Sequence, residues 1–153
     1  MFLFQGPNQE RNTAVENTLT RVFQSRGYSV IDAGTVAQTV RRHADLLQLY
    51  EIEAAKRFGS RLQADIVISG ESKMGSSEKT YEILGGKKVT VSQADVTAKA
   101  ILVNSGRLLA ADSAHARKPF DMTGEVVLQM AAEALAEKLL QGIDAFLSRD
   151  TID

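Results

Sequence analysis

Ile66, Val67 and Ile68 stand in a row with no polar residue between them. A strand with one wet face alternates apolar and polar positions, so an unbroken run predicts a strand covered on both sides. We read Ala64–Gly70 as the central strand of a small mixed sheet, with helical segments before and after it as cover. Upstream, Met1–Gln5 is a short apolar run closed by the turn cluster Gly6-Pro7-Asn8, and reads as a first strand. Thr13-Ala14-Val15-Glu16 fits a capping box, and Val15, Leu19, Val22 and Phe23 share one helical face. Gly27 suits the left-handed position after a helix, so the first helix is expected over about Thr13–Arg26.

Tyr28–Asp32 is short and rich in strand formers, and Asp32-Ala33-Gly34-Thr35 ends it. Strand, helix and strand in succession predict a right-handed parallel βαβ unit. Val36, Val40, Leu47, Ala54, Ala55 and Phe58 recur near multiples of 3.6, so Val36–Phe58 is expected to be helical. Arg41-Arg42-His43 interrupts it, which allows a break near His43–Asp45; Gly59 is read as its end.

Beyond Gly70 the periodicity fades. Glu71–Lys88 is polar, with turn signals at Gly75-Ser76-Ser77 and Gly85-Gly86, and reads as a loop or as the lip of a long hairpin around Thr80–Ile83. Val89–Val103 is the longest strand pattern. Ala94, Val96, Ala98, Ala100 and Leu102 have one parity, Val89 and Val91 the other, which predicts a bulge near Ser92–Gln93. Asn104-Ser105-Gly106 signals a hairpin, and Arg107–Ala114 returns antiparallel with mostly alanine inside, room for a helix to lie close. Pro119 ends that strand and Asp121 suits an N-cap. Val127, Met130, Ala131, Ala134, Leu135, Leu139, Ile143, Phe146 and Leu147 form one stripe, while Glu133, Glu137 and Lys138 face away. The whole reads as a single α/β domain over residues 1–153: about five strands and three helices in the order βαβαββα, the last helix lying across the sheet.

Composition narrows the function classes. The 18 Lys and Arg against 19 Asp and Glu give a net charge of −1, no footprint for nucleic acid. There is no cysteine, which excludes disulfides, thiolate metal sites and a cysteine nucleophile. No apolar run is long enough for a membrane helix. Leu3–Pro7 matches the core of a picornaviral protease cleavage site, a match that chance also allows since Met1–Gln5 reads as a strand; if it is a cleavage scar, the natural N-terminus, with any export signal or lipid anchor, has been cut away.

Chemistry-bearing patterns are sparse. His43 and His115 lie far apart without ligand-type spacing, and no metal or cofactor is expected. Asp65 and Glu71 flank the central strand, where carboxylates can do acid–base work; the plainer reading is a strand-entry cap or a pair with Arg61 for Asp65, and a solvated end for Glu71. Gly6-Pro7-Asn8 offers too few N–H donors for a phosphate cradle, and no nucleophile elbow occurs. Tyr81, Ile83 and Leu84 are apolar in a polar segment beside Lys87 and Lys88. They read as a hairpin tucked against the sheet edge or as a contact surface for a partner.

Gly27-Tyr28-Ser29-Val30-Ile31-Asp32, Ala64–Gly70, and Ala94–Val103 followed by Asn104–Ala111, in that order, resemble bacterial envelope domains of the CsgG, LpoB, FlgT-middle and TolB N-terminal type. The resemblance spans nearly the whole chain. It implies a periplasmic or outer-membrane-associated α/β domain that acts by contact with envelope proteins or with itself, and it carries no catalytic residues. The family's pore-forming members insert long amphipathic hairpins; Glu71–Lys88 is too short and too polar for that. The expectation is a non-enzymatic envelope scaffold or interaction domain. The alternative is a cytosolic small-ligand-binding domain or a hydrolase using Asp65, Glu71 and the loop after the first strand.

Overall fold

The computed structural model describes residues 2–5, 13–43, 51–118 and 124–150. Among them, strands β1 (Phe2–Gln5), β2 (Ile66–Tyr81), β3 (Lys87–Leu102) and β4 (Leu108–Lys118) form one sheet in the order β1-β2-β3-β4. β1 runs parallel to β2, with Phe2 opposite Ile68, and the other neighbours are antiparallel. The helices are α1 (Thr13–Ser25), α2 (Ala33–Arg42), α3 (Glu51–Arg61) and α4 (Gly124–Asp150). The mixed α/β class and the long last helix agree with the sequence. The count does not: four strands and four α-helices among the described residues, in the order βαααβββα, replace five and three. The segments read as a turn at Gly6–Asn8 and a cap at Asp121 lie outside the described residues.

The missing strand is Tyr28–Asp32. At the end of α1, Gly27 takes φ +89°, its N–H donates to the Gln24 carbonyl at 3.1 Å, and the Tyr28 N–H donates to the Phe23 carbonyl at 3.1 Å. That pair of hydrogen bonds is the Schellman stop, and its usual apolar contact is present as an edge-on Phe23–Tyr28 pair with centroids 5.4 Å apart. At the other end the Asp32 carboxylate accepts from the Thr35 N–H at 3.0 Å and starts α2. Two helix ends therefore hold the segment, and its strand-forming side chains pack instead of pairing: Tyr28 and Val30 on one core, Ile31 on another. The place beside β1 goes to β2. α2 stops at His43, as the polar interruption foretold.

Antiparallel pairing keeps even residues opposite even residues, so the sheet has an even face and an odd face. The even face carries α1 and α4, and Ile68, Ala94, Val96, Ala98 and Ala100 join Val15, Leu19, Leu135 and Leu139 in its core. The odd face carries α2 and α3 at one end, where Val67, Ile101 and Val103 meet Val36 and Phe58. Val67 is 0% exposed and Ile68 2%, so the unbroken apolar run is covered on both sides, as its pattern requires.

The expected bulge at Ser92–Gln93 is absent. Pairing of β3 with β2 is unbroken from Ile66–Leu102 to Tyr81–Lys87, and the two parities are buried on opposite faces. The irregularity falls against β4 at Ala100/Ile101, which leaves Leu109 as the extra residue. A bulge lets consecutive side chains turn the same way, and both Leu109 and Ala110 pack on the even-face core.

Gly59 is not the end of α3, which runs on to Arg61. A Cβ there would stand 2.4 Å from Val103 Cγ2 and 3.0 Å from Val67 Cγ2, so its bareness lets the helix rest on the sheet. Gly142 does the same for α4, where a Cβ would meet the Ala110 Cβ at 2.7 Å. The alanine-lined strands admit a close helix, as expected, and widen the buried face of α4 beyond the expected stripe. Leu128, Ala132, Ala136 and Leu140 are buried too, while Met130 and Leu147 lie toward solvent. Glu133 and Glu137 pair with Arg21 and Arg26 of α1 across the outside of the bundle.

Candidate interaction surface

The segment read as a loop is the outward half of a long hairpin. β1 flanks β2 only as far as Glu71, and β4 flanks β3 only from Ser92 onward. The pairs from Ser77–Val91 to Tyr81–Lys87 have no third strand among the described residues. Five residue pairs at about 3.3 Å each make an arm reaching roughly 16 Å beyond the described ends of β1 and β4. Its β2 strand is exposed from Lys73 to Thr80, with polar residues on both faces. On the β3 strand Val89 and Val91 are buried on the odd face, yet belong to neither core described above.

The tip is built by backbone conformation. A single 3-10 turn, Glu82–Leu84, follows Tyr81; the Gly85 N–H donates to the Glu82 carbonyl and the Gly86 N–H to the Tyr81 carbonyl. Gly85 and Gly86 sit at φ +72° and +79°, the left-handed region that glycine enters without strain, and a Cβ on either would meet open space. The turn throws Ile83 outward, 96% exposed, with Leu84 48% exposed beside it. Tyr81 is half-buried and faces Lys87, while Lys88 faces Thr80. The five residues singled out from the sequence thus gather at one end of one arm. The pattern did not mark Met74, half-exposed along the arm, or the exposed pair Ile52 and Leu108 near the β3–β4 turn. All three look like ordinary core residues in sequence.

The other candidates do not converge. Asp65 lies exposed at the bend before β2, where its carbonyl accepts from the Val103 N–H at 2.9 Å. Among the described residues no ion pair joins it to Arg61. Glu71 is six positions along the same strand, roughly 20 Å away at strand spacing. His43 closes α2, and His115 sits on β4 with its Nδ1 2.6 Å from the Asp95 carboxylate of β3. Among the described residues no group of three or more His, Cys, Asp and Glu is placed to hold a metal, and no helix is long and apolar enough to cross a membrane. Among the described residues, the Tyr28 hydroxyl has its pKa raised for a structural reason, first by burial and then by the Asp144 carboxylate it bonds at 3.1 Å.

No family model matches the chain, and no curated protein matches it in sequence. Solved structures do match in shape. The lipoprotein GNA1162 of Neisseria meningitidis superposes with a TM-score of 0.53 over 92% of this chain and 94% of that one, at 20% identity. The fold is one that a bacterial lipoprotein has. PelC of Paraburkholderia phytofirmans, solved as a dodecamer, matches with a TM-score of 0.51 over 90% of this chain and 84% of that one, at 13% identity. The C-terminal domain of LpoB from Salmonella enterica is more distant, with a TM-score of 0.40 over 79% of this chain and 78% of that one, at 10% identity.

Proposed function

We propose that this chain is a non-enzymatic interaction domain of the bacterial cell envelope, of the CsgG, LpoB, FlgT-middle and TolB N-terminal type. In this reading it grips a protein partner, or another copy of itself, with the tip of the β2–β3 arm. The observation that carries the reading is Ile83, 96% exposed at the end of an arm that extends past its sheet. An isoleucine held in water on a well-formed turn forgoes the burial energy that a contact would return, on the order of 2 kcal/mol. Lys87 and Lys88 frame it with donors for a polar rim. The fold match to a lipoprotein supports the envelope setting, and the match to a protein solved as a dodecamer supports self-association.

Two measurements test this. Cells making the product of the complete gene are fractionated; recovery in the periplasm or outer membrane is expected, and a cytosolic product overturns the envelope setting. A photo-crosslinking residue at position 83 is expected to give discrete adducts that disappear when Leu84→Ser is added. Adducts indifferent to Leu84→Ser, or none at all, overturn the role of the tip. Neither change should disturb folding, because both side chains stand outside the described cores.

A further inference from the structure

β4 is the last strand in the sheet order, and no strand pairs with its outer side among the described residues. Which backbone groups face outward follows from the pairing. The Val103 N–H donates to the Asp65 carbonyl across the β2–β3 ladder, so odd residues of β3 point their N–H and C=O toward β2 and even residues point theirs toward β4. Ala94, Val96, Ala98 and Ala100 therefore exchange hydrogen bonds with Ala116, Ala114, Asp112 and Ala110. The odd residues Ala111, Ser113, His115 and Arg117 are left with N–H and C=O directed out from the edge.

Such an edge is a template for another strand, and proteins blunt it with proline, lysine, bulges or inward charges. β4 has its bulge at Leu109, near its start, and no proline within it. From Ala110 onward it is straight, and four of its residues there are alanine. At the middle of this stretch both outward groups of Ser113 are already taken. Its N–H donates to Asp112 Oδ1 at 2.8 Å, and its carbonyl accepts from Lys138 Nζ at 2.8 Å. The ammonium is also 3.9 Å from Asp112 Oδ1, so the two side chains close over the edge as an ion pair. Lys138 comes from α4, one turn before Gly142, the residue whose missing Cβ lets α4 press onto Ala110.

We propose that Asp112 and Lys138 form a clamp that closes the β4 edge to strand addition by a second copy of this chain. The second copy is the fitting occupant because β4 suits itself. Antiparallel pairing centred on Ser113 sets Ser113 against Ser113, Asp112 against Ala114, Ala111 against His115 and Ala110 against Ala116. No like charges oppose one another at the centre, and no bulky side chain keeps the backbones apart. With the clamp shut, the central donor and acceptor of that pairing are occupied. If the tip contacts a partner as proposed above, the clamp also separates that association from an edge-to-edge one.

The test is the solution mass by light scattering, over a range of concentrations, of the Asp112→Ala/Lys138→Ala variant beside the parent. The variant's mass should climb with concentration toward twice the parent's, whatever the parent's own state. Adding Ser113→Pro, which removes the outward N–H and leaves the β3 ladder intact, should bring the mass back. A folded variant with the parent's mass overturns the proposal, and so does association that survives Ser113→Pro. If the double variant fails to fold, Lys138→Glu alone sets like charge against Asp112 at the surface and carries the same readout.

Discussion

Substituting Gly59 by alanine sets two effects of similar size against each other. In an exposed helix interior the change gains about 1 kcal/mol, because glycine is the poorer helix former. Here the new methyl would lie 2.4 Å and 3.1 Å from the two methyls of Val103, and 3.0 Å from a methyl of Val67. Both valines are buried and β-branched, held by the sheet on one side and by α2 and α3 on the other, so neither has a free rotamer to turn into. Overpacking of this kind costs about 1–3 kcal/mol, and with no flexible neighbour the upper half applies. The net expectation for Gly59→Ala is a loss of about 1–2 kcal/mol. Urea melts followed by circular dichroism read it as a lower midpoint at unchanged slope. Val103→Ala removes the obstructing methyls and should cost about 2 kcal/mol alone. Together the two changes should cost less than the sum of their separate costs, by about 1–2 kcal/mol, since the new methyl then fills the space the old ones leave. A Gly59→Ala protein more stable than the parent, or strict additivity in the double variant, would refute the seating of α3 on the sheet described here.

Two further outcomes follow from other parts of the fold. α3 ends like α1, with the Ala64 N–H on the Gly59 carbonyl and the Gln63 N–H on the Ser60 carbonyl, but the left-handed residue is Gln63 at φ +55°. Gln63→Gly should therefore stabilise by about 0.5–1 kcal/mol, visible as a higher melting midpoint. The Tyr28 hydroxyl is raised above its ordinary value of 10.0 by burial and by Asp144. A group whose folded pKa is raised holds its proton better when folded, so its contribution is present below the unfolded pKa and is lost as pH rises through the folded one. Denaturant melts should show stability falling above about pH 10, less steeply in Tyr28→Phe than in the parent.

What the sequence discloses here tracks how much burial each segment undergoes. Val67 and Ile68 had to be apolar because each enters a different core, so the central strand is plain in the pattern. The end of α1 is plain for a similar reason: Gly27 and the Phe23–Tyr28 contact are local chemistry that needs no tertiary partner. Tyr28–Asp32 misleads because β-branched and aromatic residues suit any half-buried extended segment, and nothing local says whether a strand lies alongside. The arm hides for the opposite reason. Between Lys73 and Thr80 the β2 strand is exposed on both faces, so no period of two is imposed on it, and a strand there looks like a loop. The tip residues Tyr81, Ile83 and Leu84 were legible as apolar residues out of place, and the structure supplies the arm that carries them out. Asp112 and Lys138 carry no signal at all, since their meeting depends on where α4 crosses β4.

The parallel pairing of β1 has a consequence for the order of folding. β2, β3 and β4 are joined by tight turns, and hairpins of that kind zip within microseconds. β1 instead pairs across three helices, with Phe2 opposite Ile68. Closing so long a loop costs about 4 kcal/mol of chain entropy before any contact repays it. The antiparallel meander and α4 can collapse first, since their contacts are nearer in sequence. By the same reasoning β1 and α1 are expected to dock after the meander and α4, since α1 meets α4 across a still longer stretch of chain.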